Sequence, residues 1–343
     1  MFNTTIVLSS QGTQLATDSS HFTLRSSGKR IGRIPPTLIA QMIIHHGIQV
    51  SSTALERLGT LGIPTTFLDR EGRVRSRLCP PWKHDATPRI EQSRVFLNPS
   101  SRLQLARRLV DAKIANSAAV LTRHSGNHPD PELNRAAGRL RKIRRRARNS
   151  NTIEKLMGYE GIAARIYFSV FSRMFRPLWA TFPGRNRRPP LDPVNALLSY
   201  TYAILTHQML ARIEGVGLDP YIGFLHRVEA RRPSLALDLI EPFRPVLADR
   251  LCLRLINLNV LRPEHFEDRK PQTGIFLNAD GRRAVLEAVV HWGDQCDETL
   301  GDNHPSPQGL LTREVDRFAK AAREQSLLHF QPYYLIPKDQ PDA

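Results

Sequence analysis

The chain has 343 residues, 41% of them hydrophobic, which is enough for two or so domains and at least one sizeable core. Lysine and arginine number 49 against 32 acids, a net charge of +17 with histidine neutral. That surplus makes a polyanion the first partner to consider, with a membrane surface as the competitor, and no apolar run approaches the roughly 20 residues of a spanning helix.

The first element, in "MFNTTIVLSSQG", lacks the basic start and long apolar run of a signal peptide, so a cytoplasmic protein without a membrane partner is expected. Short strands follow in "HFTLRS", "KRIGRIP", "GIQVSS", "PTTFLD" and "GRVRSRL", separated by Gly, Ser, Asp and Pro. One helix interrupts them at "TALERLG", where Thr53 and Glu56 are spaced as a capping box. "LCPPWKHDATP" ends this β-rich domain, assigned to residues 1–85.

From about residue 90 the period becomes helical. Leu103, Leu105, Ala106, Leu109, Ile114 and Ala118 mark an amphipathic helix. A second helical stretch runs from about Glu132 to Phe175, broken around "RNSNT". "RPLWATFPGRNRRPPLDP" holds five prolines in eighteen residues and reads as a long loop. Asp192 then caps a helix that opens on Pro193 and ends near Gly215 and Gly217. The tail from His329 is read as extended, with mobile last residues. Cys79, Cys252 and Cys296 form no C-x-x-C pair and read as ordinary thiols of a reducing compartment. The fold class is α+β: a small β-rich domain followed by a larger all-α domain over residues 86–343.

"RLRKIRRRAR" places seven cations between Arg139 and Arg148: Arg139, Arg141, Lys142, Arg144, Arg145, Arg146 and Arg148. With Arg187 and Arg188 in "GRNRR", they are assigned to phosphate binding; a solvated helix face is the alternative.

Three segments set metal-ligand types in apolar context. Glu160 lies between Gly158 and Gly161, which allow close approach of backbone or ligand; an acid at a helix N-terminus is the alternative. His226 follows a Gly- and Pro-rich turn, and an ordinary packed histidine is its alternative. In "SLALDLIEPFRP", Ser234 is placed to cap a helix on which Asp238 and Glu241 share a face. Buried acids need a partner, either a divalent cation or Arg244. Pro242 and Pro245 cannot donate to the carbonyls of Asp238 and Glu241, so the helix should open beside both acids.

"MGYEGIAARIYF", "RRPPLDPVNALLSYTYAIL", "GLDPYIGFLH" and "SLALDLIEPFRP", in this order, resemble the CRISPR-associated integrase of spacer acquisition, the Cas-one family. "VDAKIANSAAVL", with Lys113 and Asn116, resembles a weaker family segment. The resemblance implies a homodimer formed through the β-rich domain and a helical catalytic domain. It implies a divalent metal, Mg2+ or Mn2+, on Glu160, His226 and Glu241 as catalytic residues, with Asp238 on the wall of the site. Asn195, Ser199 and Tyr202 share one helix face and are expected to support the ligands or touch phosphates; a polar stripe on a core helix is the alternative. Arg244 is added to the DNA contacts.

The implied reaction inserts double-stranded fragments into a CRISPR repeat by 3′-hydroxyl attack, with a small ferredoxin-like partner, Cas-two. A metal-dependent nuclease on branched DNA and a noncatalytic DNA-binding scaffold are the other readings.

Overall fold

The computed structural model describes residues 4–18, 20–70, 74–78, 85–268, 274–294 and 306–335. Cys79, Cys296, most of the "LCPPWKHDATP" boundary and the last residues of the tail lie outside them. The contacts divide the chain into two units. One takes in Met1–Ala86, Ala211–Gly217 and Leu286–Thr312; the other takes in Thr87–Leu210, Leu218–Val285 and Arg313–Ala343.

In the first unit, one sheet has the order β1-β5-β7-β8, from Thr4–Leu8, Ile39–Ile44, Thr65–Leu68 and Val74–Leu78. Strand β5 pairs in parallel with both β1 and β7. Such central parallel strands are usually covered on both faces, which suits the nearly continuous apolar run "IAQMII". The second sheet has the order β4-β3-β2-β6, from Lys29–Ile34, Phe22–Ser26, Thr13–Thr17 and Gln49–Val50. Helix α1, Ser52–Thr60, shares one core with these strands through Leu15, Phe22, Met42, Ile44, Ala54 and Leu58.

Strands β2 and β5 are absent from the sequence reading. The α1 cap also differs from it. Ser51, not Thr53, accepts the Ala54 N–H, so the boundary moves two residues and the capping box does not form.

The second unit is built on helices α2 (Thr87–Leu97), α3 (Pro99–Asn127), α4 (Pro131–Arg148) and α5 (Ile153–Ser169). Helix α3 packs against both α4 and α5. The break between α4 and α5 falls at residues 149–152, where Thr152 accepts the Lys155 N–H and starts α5. Helix α6, Pro193–Gly215, opens on Asp192, whose Oδ1 accepts the Asn195 N–H.

Short α7, Ser234–Ile240, leads through a turn at Glu241 and Pro242 into a π-helical stretch, Arg244–Asp249, and α8, Arg250–Asn257. The prolines account for this opening: the Asp238 carbonyl takes the Glu241 N–H instead of a residue-242 donor. A two-stranded ribbon, β9 (Phe266–Asp268) with β10 (Ile275–Leu277), is the one β element among the described residues of this helical unit. Helices α9, Ala279–Asp294, and α10, Pro307–Arg323, follow. Among the described residues, no helix is long and apolar enough to cross a membrane.

Candidate metal centre and its basic surroundings

Glu160 stands in the middle of α5, so the helix-dipole alternative for this acid falls away. Gly158 and Gly161 are exposed, and an added Cβ at either would meet no atom within 4 Å. Among the described residues, no other element closes on either glycine. Glu241 follows α7 and is buried. Lys113, from α3, contacts both acids: its Nζ donates to Glu160 Oε1 and lies 2.5 Å from Glu241 Oε2.

His226 sits on an irregular loop tied down at several points. Gln92 donates to the carbonyls of Asp219 and Ile222, at 2.7 and 2.8 Å, and Arg102 donates to the Phe224 carbonyl at 2.8 Å. A Cβ on Gly223 would lie 2.6 Å from the Ser234 carbonyl carbon, so glycine is required for the loop to meet α7. Ser234 does not cap α7. Its hydroxyl donates to the Arg227 carbonyl at 2.7 Å and holds the loop instead.

Asp238 is fully buried beneath this loop. Its Oδ2 accepts the N–H groups of Phe224 and Leu225, and its Oδ1 accepts the N–H of His226 at 3.0 Å. The same Oδ1 lies 2.7 Å from His226 Nδ1. A carboxylate accepting three backbone donors can only accept from the ring, so Nδ1 carries a proton, and in the neutral ring Nε2 is the lone-pair nitrogen. Nε2 faces Glu241 Oε1 at 3.9 Å.

Glu241 also meets Arg244, whose Nε donates to Oε1 at 3.0 Å. Burial works against the charge of Glu241, but Arg244, Lys113 and His226 together hold its carboxyl below the usual carboxylate range. Arg244 is thus spent on an acid, with its guanidinium 4.5 Å from the centre of the Tyr202 ring. Tyr202 itself donates to Asp249 Oδ1 at 2.7 Å. Burial pushes the Asp249 carboxyl up to about 6, against the hydroxyls of Tyr202 and Tyr167.

Asn195 is fully occupied. It accepts from Arg185 Nη1 and the Asn186 N–H, and donates to the Gly184 carbonyl and Asp192. It binds the proline-rich loop to α6 and has no donor left for a phosphate. Ser199 meets Arg185 at 3.2 Å.

A cleft is lined by Lys113, Glu160, Arg187, Tyr202, Arg244 and Asp249, among others. Asn116, one helical turn from Lys113, donates to the carbonyls of Pro242 and Tyr333 and accepts the Leu335 N–H. It ties the chain beside Glu241 to the C-terminal segment. Lys113, Asn116 and Asp249 carry roles that the sequence reading did not assign. An acid in the apolar run "VLADRLCL" was the available signal for Asp249.

That C-terminal segment holds a second buried acid. Glu314 on α10 accepts the Tyr333 N–H at 3.2 Å, and burial pushes its carboxyl up to about 8, against Arg317 and that N–H. A carboxyl raised in the fold contributes stability that is full below about 4.5 and lost as pH rises through about 8. Glu314→Gln keeps the acceptor for Tyr333. Relative to wild type it should gain on the order of 3 kcal/mol as pH goes from 5 to 9, read by urea melts. Parallel curves at the two pH values would refute the assignment.

The basic run splits into two groups. Arg144 and Arg148 converge on the buried Asp111, each through Nε and Nη2, and Tyr334 donates to it at 2.7 Å. Burial disfavours the charge of Asp111, but the two arginines hold its carboxyl low. Arg141 reaches Thr122 at 3.3 Å. Arg139, Lys142, Arg145 and Arg146 are exposed, as are Arg187 and Arg188. Changing Arg139, Lys142 and Arg146 to Gln should lower the salt slope of duplex binding by about 0.9 per lost phosphate contact. Arg144→Gln should instead lower stability, because Asp111 loses a partner. Binding isotherms over a salt series, with thermal melts, separate the two; an unchanged slope in the triple variant would make the exposed group a solvated face only.

The family "CRISPR associated protein Cas1" matches residues 6–291, and the chain belongs to it. It is 37% identical over 297 residues to the "CRISPR-associated endonuclease Cas1 2" of Rhodospirillum rubrum, covering 83% of this chain and 84% of the relative. The solved structure of a Cas1 protein from Thermotoga maritima superposes with a TM-score of 0.77 at 25% identity, covering 96% of this chain and 98% of that one. A chain of a "Cas6-RT-Cas1--Cas2 complex" shares the fold, with a TM-score of 0.76 at 23% identity, over 98% of this chain and 36% of that one. The β-rich front and helical remainder agree with these structures.

Proposed function

We propose that this protein is a metal-dependent DNA integrase of spacer acquisition. It joins the 3′ hydroxyls of a short duplex to a CRISPR repeat, as a homodimer paired through its β-rich domain and with a small Cas2 partner. The observation that carries this reading is that Glu160 and Glu241 share one ammonium, Lys113, while His226 Nε2 faces the same Glu241 carboxylate at 3.9 Å. Membership of a family whose relatives are named endonucleases supports it, as does the fold shared with a chain of a Cas1–Cas2 complex.

The donor set fits a divalent cation. Two carboxylates already share an ammonium, Glu241 is buried, and Asp238 orients the histidine as carboxylates commonly orient metal-bound imidazoles. Among the described residues, no three His, Cys, Asp or Glu side chains are already gathered as a metal cluster; Lys113 contacts both glutamates. Glu160, His226 and Glu241 would hold the ion; carboxylates suit magnesium or manganese, and the histidine favours manganese. Such an ion polarises the scissile phosphate and stabilises the leaving oxygen.

The chain's own residues do the rest. Asp238 keeps the Nδ1 proton of His226 in place. Arg187, on the rim of the cleft, carries charge toward a phosphate. The basic face of α4 holds duplex DNA at a distance from the chemistry. In the joining step, the donor 3′ oxygen forms the new P–O bond and the target strand's 3′ oxygen leaves with a proton. A strand-transfer assay with normal and 3′-deoxy donors tests the reading.

A further inference from the structure

Lys113 is held where a cation is needed by three different elements. Its side chain is 15% exposed, and its ammonium touches Glu160 from α5 and Glu241 beyond α7. A plain structural ion pair would leave no reason for the pair to face a cleft. Yet Lys113 and Glu160 both line it, beside Arg187. The Glu241 oxygen nearest the ammonium is buried and lies 2.5 Å from it, so Lys113 is the cation that oxygen faces.

We infer that Lys113 is a resident counter-ion: it holds the two glutamates together in the metal-free protein and must leave them for a divalent ion to bind. The inference rests on the metal reading above. Two negative charges facing one another repel, and a single ammonium between them removes that repulsion. A divalent ion neutralises the pair more completely, but its binding is weakened by the loss of the ammonium contacts. The lysine therefore stabilises the empty site and sets a threshold metal concentration for the loaded one.

The test uses the full chain and manganese. Calorimetry on wild type comes first: absence of binding there removes the metal reading itself, independently of Lys113. Lys113→Met should lower the melting temperature of the metal-free protein and tighten manganese binding by roughly tenfold or more, the coupling expected of one contacting charge pair. Manganese should then raise the melting temperature more in the variant than in wild type. Lys113→Arg keeps the charge and should bind manganese no more tightly than wild type.

Wild type supplies a measurement that needs no variant to fold. Acetylation of Lys113, followed by mass spectrometry, should be slow in metal-free protein, faster with manganese, and slow again after chelation. Two results overturn the inference once wild type is shown to bind: manganese affinity equal or weaker in Lys113→Met, or Lys113 labelling indifferent to bound manganese.

Discussion

Donor DNA with 3′-deoxy ends should yield no joined product with a supercoiled target carrying a CRISPR array and the Cas2 partner, while its binding stays nearly unchanged. On the proposed reading both reactions use the same metal and residues, so alanine variants at Glu160, His226 or Glu241 should silence both. The attacking group differs. In strand transfer the donor's 3′ hydroxyl is held near the target phosphate, and the rate comes from that positioning together with charge stabilisation at the phosphate. Removing one oxygen atom from the donor leaves every phosphate contact to the basic surface intact. Loss of signal should be complete within assay range, whereas Glu241→Gln should lose about three orders of magnitude or more, equivalent to several kcal/mol of transition-state stabilisation. Nicked target without joined product, from normal donor across both metals, would replace the integrase with the nuclease on branched DNA.

Asp238→Asn should be among the most damaging single changes in the helical unit, although it preserves shape. Each carboxylate oxygen of Asp238 accepts two donors: the Phe224 and Leu225 amides on one, the His226 amide and ring on the other. An amide side chain has one acceptor oxygen. Whichever way it is turned, its NH2 group faces two donors, at full burial. The expected loss is about 3–5 kcal/mol, since buried donors lose their charged acceptor. The melting temperature should fall by roughly 10 °C. Manganese affinity in whatever folds should drop about 10–100-fold, because His226 loses the group that fixes its ring. Asp238→Ala should match or exceed the stability loss. A variant that melts within a degree or two of wild type would show that the loop is held by Gln92, Arg102 and Ser234 alone.

Asp238 shows how far the sequence could be read. The family resemblance placed it on the wall of a site, its spacing put it on one helix face with Glu241, and its apolar neighbours implied burial. Its task, holding three successive amides and a histidine ring, needs the loop of residues 218–233 to fold back over α7, and no local period encodes that. Asn195 failed in the opposite direction. Its helical offset from Ser199 and Tyr202 suggested a face turned to ligand, but the proline-rich loop takes all its hydrogen bonds. Arg244 was weighed both as a partner for the acids and as a DNA contact; the structure pairs it with Glu241.

By itself, the sequence determined what depends on near neighbours. Helical periodicity and caps set α3, α4, α5 and α6, since apolar spacing and the Asp192–Pro193 start act within a few residues. The prolines at 242 and 245 set the opened turn beside Glu241, because a missing N–H acts one turn away. The chemical types of the proposed ligands, and the excess of positive charge, are written in the sequence itself. Only the tertiary structure decided which charges meet. Lys113 joins Glu160 and Glu241 from distant segments, and Asp111 withdraws Arg144 and Arg148 from the basic run while leaving Arg139, Lys142, Arg145 and Arg146 exposed. Ion pairing falls off with distance and is strengthened by burial, and both are set by packing between elements far apart in the chain.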